Sequence, residues 1–316
     1  MLINIILLIV GFVVLIKAAD IFVDSASDIA THFHLSKMLI GLTIVSFGTS
    51  APEFAVSIKS LLSDSGDIVL GNVIGSNILN ILLILGISSI VHSLNVKNNT
   101  VKKEIPITLL MTSLLVVLLS DNIFDKSLLN TFTRGDGITI LLFFSVFVYY
   151  LFSQMRKKKD DGNNEVKHEL PIAIILTILS IIGIIVGSNF VVDSASYIAL
   201  HLGVSEKMIA LTIVALGTSL PELVTSVIAT KKGNYDIAIG NVVGSNIFNI
   251  GIVLGLPVSI IGGIYSYSVD IIDLAALIVS TSLLFICCFT GYKLEKKEGI
   301  LFLITFLIYY SHVILG

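Results

Sequence analysis

Apolar runs of about 20 residues, the length that crosses the hydrocarbon core of a bilayer, recur along the whole chain. They fall at 2–30, 38–61, 68–91, 104–120 and 137–155, and again at 170–199, 208–230, 236–262, 269–289 and 300–315. Short polar stretches separate them. The charged segment RKKKDDGNNEVKHE at 156–169 divides the runs into two groups of five and reads as a solvated linker too short for a folded domain. The pattern predicts an all-α membrane protein with a five-helix repeat over 1–155, a linker over 156–169 and a second five-helix repeat over 170–316.

Composition agrees with this reading. Of 316 residues 55% are hydrophobic and 13% charged, and the mean hydropathy of +1.00 excludes an ordinary soluble domain. No basic patch points to nucleic acid, and nothing in the chain marks an obligatory protein partner; the lipid bilayer is the expected surrounding. Cys287 and Cys288 are adjacent inside an apolar run, which suits packing rather than a disulfide or a metal site. The N-terminus MLINIILLIVGF lacks the basic region of a signal peptide and is expected to belong to the first span.

The distribution of charge sets an expected orientation. With the N-terminus outside, 14 Lys and Arg residues fall in cytoplasmic segments, among them Lys97, Arg156, Lys157, Lys158 and Lys159. Only Lys59, Lys126, Arg134 and Lys207 fall outside. The positive-inside bias therefore predicts a multi-pass protein of the cell (inner) membrane, with both termini outside and the linker cytoplasmic. Lipid binding by the 156–159 cluster is a lesser alternative for charges that topology already accounts for.

Residues 22–81 match 191–250 without a gap, 169 positions apart, and 31 of the 60 positions are identical. Five spans per copy is an odd number, so the second copy enters the membrane from the opposite side: the repeats are inverted. Such an arrangement places a binding site where the copies face each other. The repeated core reads LTIVSFGTSAPEFAVS and GNVIGSNILNI in the first copy, LTIVALGTSLPELVTS and GNVVGSNIFNI in the second.

Each copy buries a carboxylate, Glu53 and Glu222, at a cost of about 2.5–3.5 kcal/mol on insertion scales. Pro52 and Pro221 precede them, so the helices are expected to break near Gly48 and Gly217 and to free carbonyls near Ser46, Phe47, Ala215 and Leu216. Helical spacing gathers Thr49, Ser50 and Glu53 on one face, and Thr218, Ser219 and Glu222 on its counterpart. Ser76 with Asn80, and Ser245 with Asn249, do the same on the following spans; the glycines Gly71, Gly75, Gly240 and Gly244 around them suit close helix packing. These side chains offer only carboxylate, hydroxyl and amide oxygens, a set for Ca²⁺ or Na⁺ and not for zinc, copper or iron. Two ionised carboxylates carry a charge of −2, which one Ca²⁺ or two Na⁺ neutralise; occupancy by the two ions is then mutually exclusive. Asp24 and Asp193 repeat as well, as vestibule or helix-capping groups, and His32 and His201 as interfacial histidines.

On the paired GTS-x-PE and GN-x-x-GSN motifs the sequence resembles the cation/calcium antiporter superfamily, in its prokaryotic sodium/calcium exchanger branch. The resemblance implies that spans 2, 3, 7 and 8 hold the ions while spans 1 and 6 slide across them. It implies a ligand set of Thr49, Ser50, Glu53, Ser76 and Asn80 with Thr218, Ser219, Glu222, Ser245 and Asn249, joined in sodium sites by the carbonyls of Ser46 and Ala215. Many relatives carry Asp where this chain has Asn249, so neither ion stoichiometry nor proton coupling at that position transfers. Hydrogen/calcium exchangers typically place an acid in the second motif, where this chain has Ser76 and Ser245.

The expected function is therefore a Na⁺/Ca²⁺ antiporter working by alternating access and extruding Ca²⁺, with no cofactor. The alternative is an H⁺- or K⁺-coupled antiporter of the same superfamily. A cation channel fits inverted repeats less well. An enzyme lacks support: there is no H-E-x-x-H, and neither Ser50 nor Ser219 has a histidine beside it in sequence.

Overall fold

The computed structural model describes residues 1–120, 131–155, 166–204, 209–265, 267 and 269–315. The charges of Lys126, Arg156, Lys157, Lys158, Lys159 and Lys207, and most of the linker, lie outside the described residues. The first half contains α1 (Leu2–His32), α2 (Lys37–Thr49), α3 (Ala51–Leu62), α4 (Gly66–Val91), α5 (Ile105–Leu118) and α6 (Arg134–Met155). The second contains α7 (Leu170–His201), α8 (Thr212–Thr218), α9 (Leu220–Lys231), α10 (Tyr235–Ile260), α11 (Ile271–Gly291) and α12 (Lys296–Leu315). Counting α2/α3 and α8/α9 as broken spans gives ten, each within a few residues of an apolar run in the sequence.

Two small sheets fix the sense of the repeats. Strand β1 (Leu94–Asn95), after α4, pairs antiparallel with β4 (Lys293–Leu294), after α11; β2 (Thr131–Phe132), after α5, pairs with β3 (Ile264–Tyr265), after α10. The connections after spans 3 and 9 thus share one membrane face, and those after spans 4 and 8 share the other. Only an inverted second copy has that parity. The pseudo-two-fold axis passes between the equivalent residues Thr112 and Thr281, whose hydroxyls lie 3.4 Å apart.

Burial orders the helices around this axis. Side chains of α4 and α10 are largely enclosed, and Val73, Ile78, Ile81, Val242, Ile247 and Ile250 are fully buried in the main core. In contrast α1 and α7, 31 and 32 residues long, lie along each other at the edge and expose Ile6, Ile9, Ile175 and Leu179, as a lipid-facing surface requires. At about 1.5 Å per residue each exceeds the ~30 Å hydrocarbon thickness, so they tilt or project beyond it. Ser25 and Thr177 hydrogen-bond across their contact at 2.9 Å.

On the linker face an ionic cluster ties α1 to the core. Lys232, just past α9, reaches Asp20 and Asp24 at 2.8 Å each, and Lys167 reaches Asp24 at 2.9 Å. The hydrogen bond it donates to the Asp24 carboxylate holds the Lys167 ammonium above its usual pKa range. Asp28 accepts from the backbone N–H groups of Lys167 and His168 at 3.1 Å, and its carboxylate lies 2.8 Å from the His168 ring. Asp24 is thus an ion-pair partner, whereas its repeat mate Asp193 is exposed. His32 contacts the His168 carbonyl, and His201 stacks on Tyr197.

Candidate ion-binding site

The breaks in the second span of each repeat meet at the centre of the molecule. Between α2 and α3 the chain bends by 45°, and between α8 and α9 by 57°. Proline at the second residue of α3 and of α9 supplies no N–H for the residue four before it, so Gly48 and Gly217 lose their helical donors. Ser188 of α7 donates to the Gly217 carbonyl at 3.0 Å; its counterpart in the first copy is Ala19, which has no donor. The expected release at Ser46 is not seen. Ser46 O still accepts from Ser50 N at 3.0 Å and from the Thr49 hydroxyl at 3.3 Å, and Ala215 O accepts from the Thr218 hydroxyl at 3.5 Å.

Facing breaks bring the two carboxylates into one buried site. Glu53 and Glu222 are 1% and 0% exposed, and each is held by the serine of the other repeat. Ser50 Oγ donates to Glu222 Oε1 at 3.1 Å, and Ser219 Oγ to Glu53 Oε1 at 3.4 Å. Asn80 and Asn249, both fully buried, open π-helical turns at Asn80–Leu85 and Asn249–Gly255, a local widening of the helix that recurs at functional positions. Ser76 and Ser245 are buried one turn earlier.

Six buried side-chain oxygens on α3, α4, α9 and α10 have no hydrogen-bond partner among the described residues: Glu53 Oε2, Glu222 Oε2, Asn80 Oδ1, Asn249 Oδ1, Ser245 Oγ and Thr225 Oγ1. Each buried polar group left unpaired costs about 1–3 kcal/mol. Six in one place, two of them carboxylate, suit a hard cation. Thr225 escaped the sequence reading because the repeat places Val56 opposite it, although its i+3 spacing from Glu222 puts it on the same helical face. Asn72 and Asn241, the asparagines of the repeated GN, were also missed. Asn72 donates to the Glu53 carbonyl at 3.1 Å and Asn241 to the Glu222 carbonyl at 3.4 Å, each pinning the glutamate's helix to the next span.

The two halves are not in the same state. On the linker side α2 is sealed against α10: a methyl group on Gly240 would lie 2.9 Å from Met38 O, and one on Gly244 would lie 2.7 Å from Ser46 Oγ and 2.9 Å from Leu42 Cα. Thr49 Oγ1 adds a 3.0 Å hydrogen bond to Asn241 Oδ1. The equivalent surfaces on the opposite side pack less closely. Methyl groups on Gly71 and Gly75 would meet nothing within 4 Å among the described residues. Val214 is 44% exposed against 0% for its mate Val45, Ala215 is exposed where Ser46 is buried, and Thr218 is half-buried where Thr49 is enclosed. Of the residues named from the sequence, Ser50, Glu53, Asn80, Ser219, Glu222, Ser245 and Asn249 therefore line the enclosed centre. Thr218 and Ala215 lie along its open approach.

The comparisons with known proteins agree with this architecture. A family model described as sodium/calcium exchanger protein matches residues 3–153 and 172–315. The chain is 37% identical to a putative antiporter, CaxA, of Alkalimonas amylolytica over 98% of each protein. It is 32% identical to the sodium/calcium exchanger MaX1 of Methanosarcina acetivorans over 97% of this chain and 98% of the relative. The solved structure of the sodium-calcium exchanger NCX_Mj soaked with 10 mM Na⁺ and no Ca²⁺ resembles it with a TM-score of 0.85, at 32% identity over 98% of both chains. Inverted repeats, a buried pair of glutamates and matches over both halves lead to one conclusion: this chain belongs to the sodium/calcium exchanger family, which are transporters and not enzymes.

Proposed function

We infer that the protein exchanges Na⁺ for Ca²⁺ at the site between its repeats, alternately exposing Glu53 and Glu222 to the two sides of the cell membrane. The observation that carries this reading is the asymmetry of equivalent surfaces: α10 sealed against α2, and Val214, Ala215 and Thr218 of α8 more exposed beside α4 than their mates Val45, Ser46 and Thr49. A channel needs no such difference between copies, whereas a carrier caught with one gate closed requires it. By the positive-inside distribution the linker is cytoplasmic, so the open approach along Gly71, Gly75 and Val214 faces outward. The NCX_Mj structures are described as states of extracellular ion exchange, which supports the same assignment. Thr49, Ser50, Glu53, Ser76 and Asn80, with Thr218, Ser219, Glu222, Ser245 and Asn249, supply the ligands, and the Ser46 and Ala215 carbonyls contribute to sodium sites. A large inward Na⁺ gradient then drives Ca²⁺ out.

Purified protein in Na⁺-loaded liposomes is expected to accumulate ⁴⁵Ca²⁺ only when diluted into Na⁺-free medium. Equal uptake from H⁺- or K⁺-loaded liposomes without Na⁺ would contradict sodium coupling.

A further inference from the structure

Four asparagines close a ring across the two-fold axis, and two of them have no place in the ligand set. Asn77 and Asn246, equivalent in the repeat and both fully buried, grip each other's backbones: Asn77 Nδ2 donates to Asn246 O at 3.3 Å, and Asn246 Nδ2 to Asn77 O at 3.1 Å. Their remaining oxygens are used as well. Asn246 Oδ1 accepts from Asn80 Nδ2 at 3.0 Å, and Asn77 Oδ1 accepts from Asn249 Nδ2 at 3.1 Å. The amides of 77 and 246 thus have both ends engaged, whereas Asn80 and Asn249 have their nitrogens engaged and their Oδ1 atoms without a protein partner.

An amide has two ends of nearly equal size and opposite polarity. Turned through 180° about its last side-chain bond, Asn80 or Asn249 would present two N–H donors to a cation in place of an oxygen. Nothing in the shape of an amide prevents that; only its hydrogen-bond partners decide. We propose that Asn77 and Asn246 are positioning residues that act across the repeat boundary, Asn246 on Asn80 and Asn77 on Asn249, and fix those amides with oxygen toward the transported ions. The inference rests on the ion site assigned above. It also gives the mutual backbone grip a purpose: the acceptor for each ligand amide comes from the opposite repeat, so both orientations depend on correct docking of α4 against α10.

The crossed pairing makes the test specific. Ca²⁺ affinity is measured by titration of the purified full-length protein carrying Asn246→Ala, Asn77→Ala, Asn80→Ala and the pairwise combinations. A lost hydrogen bond of about 0.5–1.5 kcal/mol corresponds to a roughly two- to twelvefold weaker Kd, and Asn246→Ala and Asn77→Ala are each expected to fall in that range. In the Asn80→Ala background Asn246→Ala should add little further loss, since its target is gone, while Asn77→Ala should still add its full effect. Equal, additive losses in all combinations, or unchanged affinity in both single variants, would overturn the proposal. If Asn246→Ala does not yield folded protein, Asn246→Ser, which keeps a polar group but is too short to hold the Asn80 amide, is expected to show the same dependence on Asn80. Glu53→Gln run alongside separates the two levels: full Ca²⁺ binding by that variant removes the ion site itself, whereas lost binding with a normal Asn246→Ala removes only the positioning role.

Discussion

Glu53→Gln and Glu222→Gln should each abolish Na⁺-driven Ca²⁺ uptake while leaving the protein folded. The change is isosteric, and the amide oxygen of a glutamine still accepts from Ser219 or Ser50, which now hold the carboxylates at 3.4 and 3.1 Å. What disappears is one of the two negative charges that offset a divalent ion in a buried site. Removing one partner of a buried charge pair costs about 3–5 kcal/mol, equivalent to roughly a hundred- to several-thousandfold in affinity. Without Ca²⁺ or Na⁺ the expectation reverses. A buried carboxylate is costly in the ion-free protein, so the thermal midpoint of either Gln variant in ion-free buffer should equal or exceed that of the parent. Transport at more than a few per cent of the parental rate in both variants would contradict the assignment, as would a large fall in ion-free stability without loss of binding.

Gly75→Val should stop turnover without stopping binding. A side chain at 75 meets open space in the present state, whereas one at the equivalent Gly244 would collide with Ser46 and the Leu42 backbone. If the repeats exchange conformations, closure of the open side brings Ala215 against Gly75 as Ser46 now lies against Gly244. The valine then opposes closure through overpacking worth about 1–3 kcal/mol, shifting the balance of states five- to 150-fold. Exchange should slow by at least about fivefold, with Ca²⁺ affinity from the open side within a factor of about three of the parent. Gly244→Ala is expected to do the opposite and destabilise the sealed arrangement seen here. Normal exchange by Gly75→Val would mean that α8 does not approach α4 during transport.

Much of this was legible in the sequence because the membrane imposes strong constraints. Every span had to satisfy its own backbone hydrogen bonds and offer an apolar surface, so the ten runs located the helices to within a few residues. Glu53 and Glu222 stood out for the same reason: a buried carboxylate in lipid is too costly to be incidental. The proline places the break at Gly48 and Gly217, four residues before it, as the sequence implies, whereas the Ser46 carbonyl keeps its donor. Asn72, Asn77, Asn241 and Asn246 sat in plain view in the repeated GN and GSN, yet their spacing could not show that their partners lie on other helices. Nor could a sequence with the same motifs in both copies show that Gly240 and Gly244 are in close contact while Gly71 and Gly75, among the described residues, are not. That difference belongs to a state of the molecule, and both states are encoded by one chain.

Na⁺ and Ca²⁺ sharing one site between the repeats is an expectation of equilibrium binding. It is tested most directly by equilibrium ⁴⁵Ca²⁺ binding to the purified protein at increasing Na⁺. One Ca²⁺ per chain is expected, displaced by Na⁺ with a Hill coefficient above 1 because more than one monovalent ion replaces each divalent ion. Two Ca²⁺ per chain, or binding that Na⁺ leaves unchanged, would contradict it.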